Sequence, residues 1–141
     1  MKYKVTKVNK SNTGEVVLTG TTRKKSDKGF ISLKAGNTVK IKGKSFKITA
    51  IGNNAFRGYK KLKSVTIGRN IKKIGTKAFY GCKKLKKLVI NTKLLQAKKV
   101  GNKAFKGIYS KVNVKVPKAK LKSYQKILRK KGVGKDAKIH T

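Results

Sequence analysis

Acid-base and metal chemistry draw on carboxylates, imidazoles and thiolates, and of those types this 141-residue chain holds only Glu15, Asp27, Asp136, His140 and Cys82. No acid stands between Lys28 and Lys135. No Cys-His pair, metal-ligand spacing or glycine-rich phosphate loop can be assembled from this inventory, and Gly43-Lys44 lacks the rest of a P-loop. A lysine of depressed pKa can serve as a nucleophile, but nothing singles one out here. The expectation is a chain without catalysis, cofactor or metal, whose chemistry is that of its charge.

The formal charge is +38, from 41 Lys and Arg against 3 acids. Such a balance fits a polyanionic partner: nucleic acid, an anionic glycan, teichoic acid, or a negatively charged membrane or cell surface. The bland alternative is a soluble, self-repelling coat with no partner. Only Arg23, Arg57, Arg69 and Arg129 are arginine. Lysine is a hydrated point charge without arginine's planar fork, so base-edge readout is disfavoured and diffuse electrostatics favoured.

The elements that would position those lysines announce themselves by repetition. Ile51 to Ile67, IGNNAFRGYKKLKSVTI, is followed by a close copy at Ile74 to Ile90, IGTKAFYGCKKLKKLVI, and a looser one at Val100 to Val116, VGNKAFKGIYSKVNVKV. Phe56, Phe79 and Phe105 fall in one column, in steps of 23 and then 26 residues. That spacing is near the window of leucine-rich repeats, whose units each add a strand and a short helical or turn segment to a stack. Within a unit, Gly52-Asn53, Gly75-Thr76 and Gly101-Asn102 set a turn and an N-cap, predicting a short helical segment that carries Ala-Phe inward and stops at Gly58, Gly81 and Gly107. Leu62, Val65 and Ile67 then match Leu85, Leu88 and Ile90, and Val112, Val114 and Val116 follow in the third copy, as half-buried strands would. Cys82 shares an apolar column with Tyr59 and Ile108, which reads as a small buried hydrophobe rather than a reactive thiol.

Ahead of the repeats, Tyr3 to Val8 and Glu15 to Thr19 read as strands joined by the turn SNTG, and Phe30 to Leu33 as a third. A second hairpin sets Val39 and Ile41 against Phe46 and Ile48 across Lys42-Gly43-Lys44. After Pro117, KAKLKSYQKILRKKG places Leu121, Tyr124 and Leu128 on one helical face, with Gly132 past the end. That helix reads either as a cap on the stack or as a basic amphipathic helix on an anionic membrane, burying Leu121, Tyr124, Ile127 and Leu128. The closing DAKIHT is a short strand or a tail. The expected fold is thus an α+β solenoid in one domain, residues 1–141: an N-terminal β-hairpin cap over 1–49, three repeats over 50–116, and a C-terminal helical cap and tail over 117–141.

The pattern IGxxAFxGCxxLxxLxI, as it stands from Ile74 to Ile90, resembles the BspA-type leucine-rich repeat, and the likeness extends from about Ala50 to Val116. The flanking basic strands and the helix after Pro117 are similar to the ends of such proteins in clostridia-like gut bacteria. The resemblance implies a bacterial cell-surface or secreted binding and adhesion protein with no catalytic residues in its repeat. It also implies that the chain is a fragment or terminal module of a larger surface protein. Neither a stretch of about 20 apolar residues nor a signal-peptide core stands in the sequence.

The candidate contacts for a polyanion are Lys60, Lys61, Lys63, Lys72, Lys73, Lys83, Lys84, Lys86 and Lys87, which recur at matching offsets. Stacking would set Lys60 beside Lys83 and Lys61 beside Lys84 at roughly the 4.8 Å strand spacing. The partners expected are an anionic polymer, teichoic acid or an acidic glycan, or an acidic protein surface. The alternative is nucleic acid bound through phosphates without sequence specificity, for which mainly Tyr59, Tyr80 and Tyr109 would be left as stacking platforms.

Overall fold

The computed structural model describes residues 1–9, 11, 13–21 and 32–141. Its strands are β1 (Lys2–Val8), β2 (Gly14–Gly20), β3 (Ser32–Ala35), β4 (Thr38–Ile41), β5 (Lys44–Ile51), β6 (Ser64–Ile67), β7 (Lys73–Ile74), β8 (Lys87–Ile90), β9 (Asn113–Lys115) and β10 (Lys138–His140), with one α-helix, α1 (Leu121–Lys130). They form two sheets. One runs β10-β9-β8-β6-β3, all parallel; the other runs β1-β2-β5-β4, with β7 also on β5.

The repeat period sets the register of the parallel sheet. Val65 pairs with Leu88 and Leu88 with Val114, while Ile67 pairs with Ile90, and all five side chains are buried. Because strand side chains alternate faces, each unit adds the same two apolar positions to the core. A second column runs down the other sheet through Leu18, Ile51 and Ile74, continued by an isolated bridge from Ile74 to Val100. The third unit keeps step with the second because Phe105 and Val114 are as far apart in sequence as Phe79 and Leu88. Its longer approach is absorbed between Asn91 and Lys99, where Ala97–Lys99 forms a 3-10 turn.

The expected short helices are absent: Asn53 to Gly58 and its counterparts are turns. Asn54, Lys77 and Lys103 have φ of 55°, 53° and 55°, a left-handed conformation that no helix continues through. The N–H groups freed from helical bonding donate to the next unit instead, Asn54 to Thr76, Phe56 to Ala78 and Gly58 to Tyr80, each at 2.8 to 2.9 Å. Asn53 does not cap a helix; its Oδ1 accepts from the Thr76 N–H at 2.9 Å. The turns thus stack closely enough for Phe56, Phe79 and Phe105 to lie ring on ring, with centroids 5.6 Å apart and planes within 9°.

Both ends differ from expectation in their boundaries. In the expected third strand Phe30 and Ile31 lie outside the described residues, and its remainder is part of β3, which pairs parallel with β6 as a rung of the repeat sheet. Strand β5 crosses the expected boundary at residue 50 and joins β2 to β7. In the second hairpin Val39 opposes Phe46 and Ile41 opposes Lys44, while Ile48 lies beyond the pairing, because the turn is the two residues Lys42 and Gly43, both at positive φ, and not the expected three.

At the other end β10 adds a parallel rung to β9. The apolar stripe of α1 faces inward: Tyr124 and Leu128 are buried, and Leu121 and Ile127 pack half-buried against the core. The Tyr124 hydroxyl donates to the Thr92 carbonyl at 3.0 Å and accepts from the Leu95 N–H at 3.1 Å. That stripe is occupied by the stack, which removes the apolar face a membrane-bound helix requires. Among the described residues the result is a repeat fold of mixed sheets and one helix around an apolar core.

Candidate polyanion-binding surface

The turn and strand backbones decide where each lysine stands. After Gly58 and Gly81, Lys60 and Lys83 each donate an N–H back to the glycine carbonyl, at 2.8 and 2.9 Å. They occupy equivalent places on turns that are themselves hydrogen-bonded through Gly58 and Tyr80. Lys61 and Lys84 follow, the first half-buried and the second exposed. Before β6 and β8, Lys63 and Lys86 sit on adjacent rungs, with the Lys86 N–H donating to the Lys63 carbonyl at 2.9 Å. Six of the nine candidates therefore gather along one flank, between the turns and the parallel sheet.

The other three stand apart. Lys87 opens β8 and stands between Ser64 and Asn113 on the open face of the sheet. Lys73 belongs to β7 on the second sheet, paired with Ala50. Lys72 is engaged: its Nζ lies 3.0 Å from Glu15 Oε1. That bond is the main reason the Glu15 carboxyl is held below the usual carboxylate range, with Thr49 donating at 3.2 Å as a lesser contribution.

On the open sheet face the structure adds residues that the repeat alignment did not single out. Lys115 and Lys138 are exposed on that face with Lys87, as is Lys34 two strands away on β3, and His140 is half-buried. The His140 Nε2 lies 2.7 Å from Asn113 Oδ1. The signal was the alternation of Lys138 and His140 around Ile139 in the last strand. Among the described residues, no group of three His, Cys, Asp or Glu side chains is close enough to hold a metal ion.

The tyrosines are not free platforms. Tyr59 is buried edge-on against Phe56. Arg57 lies over the Tyr80 ring at 5.5 Å, and Lys86 over the Tyr109 ring at 5.4 Å. Cys82 is fully buried, its thiol donating to the Phe56 carbonyl at 3.1 Å, and burial pushes its pKa up to about 12. Such a thiol is a packing group and a poor nucleophile.

What the flank can do is electrostatic. Two ammonium groups about 5 Å apart repel by about 0.8 kcal/mol in water, and a polyanion laid along them relieves that repulsion. No helix in the described residues is long and apolar enough to cross a membrane.

No curated protein matches the chain significantly. A leucine rich cell surface protein from Faecalibacterium prausnitzii A2-165 has a similar crystal structure, with a TM-score of 0.54 at 19% identity over 82% of this chain. The likeness spans 35% of that protein, so the present chain corresponds to about a third of its length. The sequence pattern of the BspA type leucine rich repeat region matches residues 26–128 in six copies, more than the three expected and beginning ahead of β3. Covering most of the sequence, that match is decisive: the chain belongs to the BspA-type leucine-rich repeat family.

Proposed function

We propose that the chain is a non-catalytic binding and adhesion module of a bacterial cell surface, and that its lysine flank contacts anionic polymers such as teichoic acid or acidic glycans, or an acidic protein surface. We take the fold as a short solenoid in one domain, residues 1–141, closed by the β1–β2 hairpin and by α1. The observation that carries the binding reading is the in-register recurrence of Lys60, Lys61 and Lys63 at Lys83, Lys84 and Lys86 on adjacent, hydrogen-bonded units. Among the described residues the ion pair shown is Lys72 with Glu15, and it engages none of these six.

Support for the surface location is the family itself and the structural likeness to a cell surface protein from Faecalibacterium prausnitzii. Phosphate-only contact with nucleic acid uses the same charges, but the engagement of Tyr59, Tyr80 and Tyr109 leaves little for base stacking. The test is binding to teichoic acid, a sulfated glycan, polyglutamate and duplex DNA, each from about 0.05 to 0.5 M salt, across which the Debye length falls from about 14 to 4 Å. One polymer retained at high salt while the others dissociate is the expected result. Four parallel salt slopes would reduce the lysines to a non-specific coat.

A further inference from the structure

Strand β1 forms the edge of its sheet, paired with β2 on one side and, among the described residues, with nothing on the other. An edge of this kind presents unpaired N–H and C=O groups, a template for another strand. The register with β2 sorts its side chains. Tyr3 and Val5 stand opposite Leu18 and Val16, which are buried, and Val8 opposite Gly14; Lys4 and Lys7 stand opposite Val17 and Glu15. Directly opposed residues share a face, so from Tyr3 to Val8, with Thr6 bulged between Val5 and Lys7, one face of β1 is apolar and the other cationic, while Lys2 at the strand's start opposes Gly20. The apolar face continues the core and yet is uncovered, with Val5 42% and Val8 57% exposed. Together with Met1, these are three of the four large apolar side chains exposed among the described residues.

We propose that β1 is the docking edge for an extended acidic strand of another chain, one that alternates apolar with acidic residues and joins the sheet by strand addition. Its apolar side chains would cover Val5 and Val8, and its carboxylates would face Lys4 and Lys7. Glu15 on the neighbouring strand is shared between Lys72, 3.0 Å away, and Lys7 opposite it, so one carboxylate stands against two lysines and the cationic face of β1 keeps a net positive charge. A second copy of this chain is the wrong occupant, because pairing β1 with itself sets lysine against lysine on molecules of formal charge +38. Nor can the chain supply the strand, since Glu15, Asp27 and Asp136 are its only acids. This surface and its partner are separate from the lysine flank, and either can hold without the other.

The test uses the full chain and a seven-residue peptide alternating glutamate and valine, titrated at about 0.3 M salt, where exposed charges are screened beyond about 6 Å. Polyglutamate of equal charge is the comparator, and amide hydrogen exchange across β1 reports the place of binding. The expected result is binding of the alternating peptide, with β1 amides slowed at least about tenfold and no such protection from polyglutamate. The variant carrying Val5→Lys and Val8→Lys gains two charges and loses the apolar face. Strand addition predicts that it binds the peptide at least about tenfold more weakly. Equal or tighter binding by that variant, equal protection by polyglutamate, or unprotected β1 amides would each overturn the proposal. Should the lysine variant fail to fold, Val5→Thr with Val8→Thr carries the same comparison with the same outcomes.

Discussion

Phe79 is the middle ring of the phenylalanine ladder, stacked on Phe56 and on Phe105 with both centroids 5.6 Å away, and fully buried. Phe79→Leu keeps most of the apolar volume and removes the ring, which separates stacking from simple burial. Near-parallel rings at that separation are offset, the favourable arrangement, and each pair contributes about 0.5 to 1.5 kcal/mol beyond its buried area. Loss of two pairs, with about 1 kcal/mol for the residual void, predicts a destabilisation of about 2 to 4 kcal/mol. Phe105→Leu forfeits its contact with Phe79 and should cost less, by roughly one pair. In the double variant the shared pair is lost only once, so the costs should fall short of additivity by about 0.5 to 1.5 kcal/mol. Phe56 and Phe105, separated by Phe79, should add to within about 0.5 kcal/mol. Urea unfolding with a common m value is the assay. Strict additivity of Phe79→Leu and Phe105→Leu would refute the ladder as an energetic unit and leave it a by-product of backbone spacing.

Three further outcomes follow from single positions. A Cβ on Gly101 would meet the Thr76 nitrogen at 2.2 Å, and on Gly36 nothing within 4 Å, so Gly101→Ala should cost about 1 to 3 kcal/mol while Gly36→Ala stays near neutral in the same melts. Glu15 has its carboxyl pKa lowered on folding, so its contribution is present above the ordinary value near 4.5 and is lost as pH falls through the folded value. The pair with Lys72 is partly exposed, so Glu15→Gln should cost at most about 1 kcal/mol at pH 7 and progressively less as the pH falls through the folded value, a trend read by melting across the acid range. Cys82, buried with its pKa near 12, should resist a maleimide in the folded protein and react fully in denaturant, as mass spectrometry would report. Rapid native labelling would contradict its burial.

The repeat sheet was legible because its signal is doubly written: period two within SVTI and KLVI, and a fixed step between copies that sets Val65, Leu88 and Val114 side by side. The turns were misread for a physical reason. Gly-Asn followed by Ala-Phe has the local chemistry of an N-cap, and only the stacked neighbour supplies the carbonyls that make Asn54, Lys77 and Lys103 worth holding at positive φ. No single copy contains that information.

The same limit governs the lysines. Equivalence of Lys63 and Lys86 is visible in an alignment, whereas the capture of Lys72 by Glu15 joins residues 57 apart in the chain. The placement of β3 and β10 as further rungs was missed for a related reason, since neither carries the Ala-Phe-Gly signature that marks the units between Ile51 and Val116.

The most direct measurement is a comparison of two variants of equal charge. In one, Lys60, Lys61, Lys63, Lys83, Lys84 and Lys86 become glutamine; in the other, Lys93, Lys98, Lys99, Lys118, Lys122 and Lys126 do, all six exposed and off the flank. Affinity for teichoic acid is measured against salt for both. If the flank is the contact surface, the first variant loses most of the binding and its log-log salt slope drops by roughly 4, at about 0.7 per released counterion, while the second stays close to the parent. Equal losses in the two variants would contradict a defined surface and leave only the net charge.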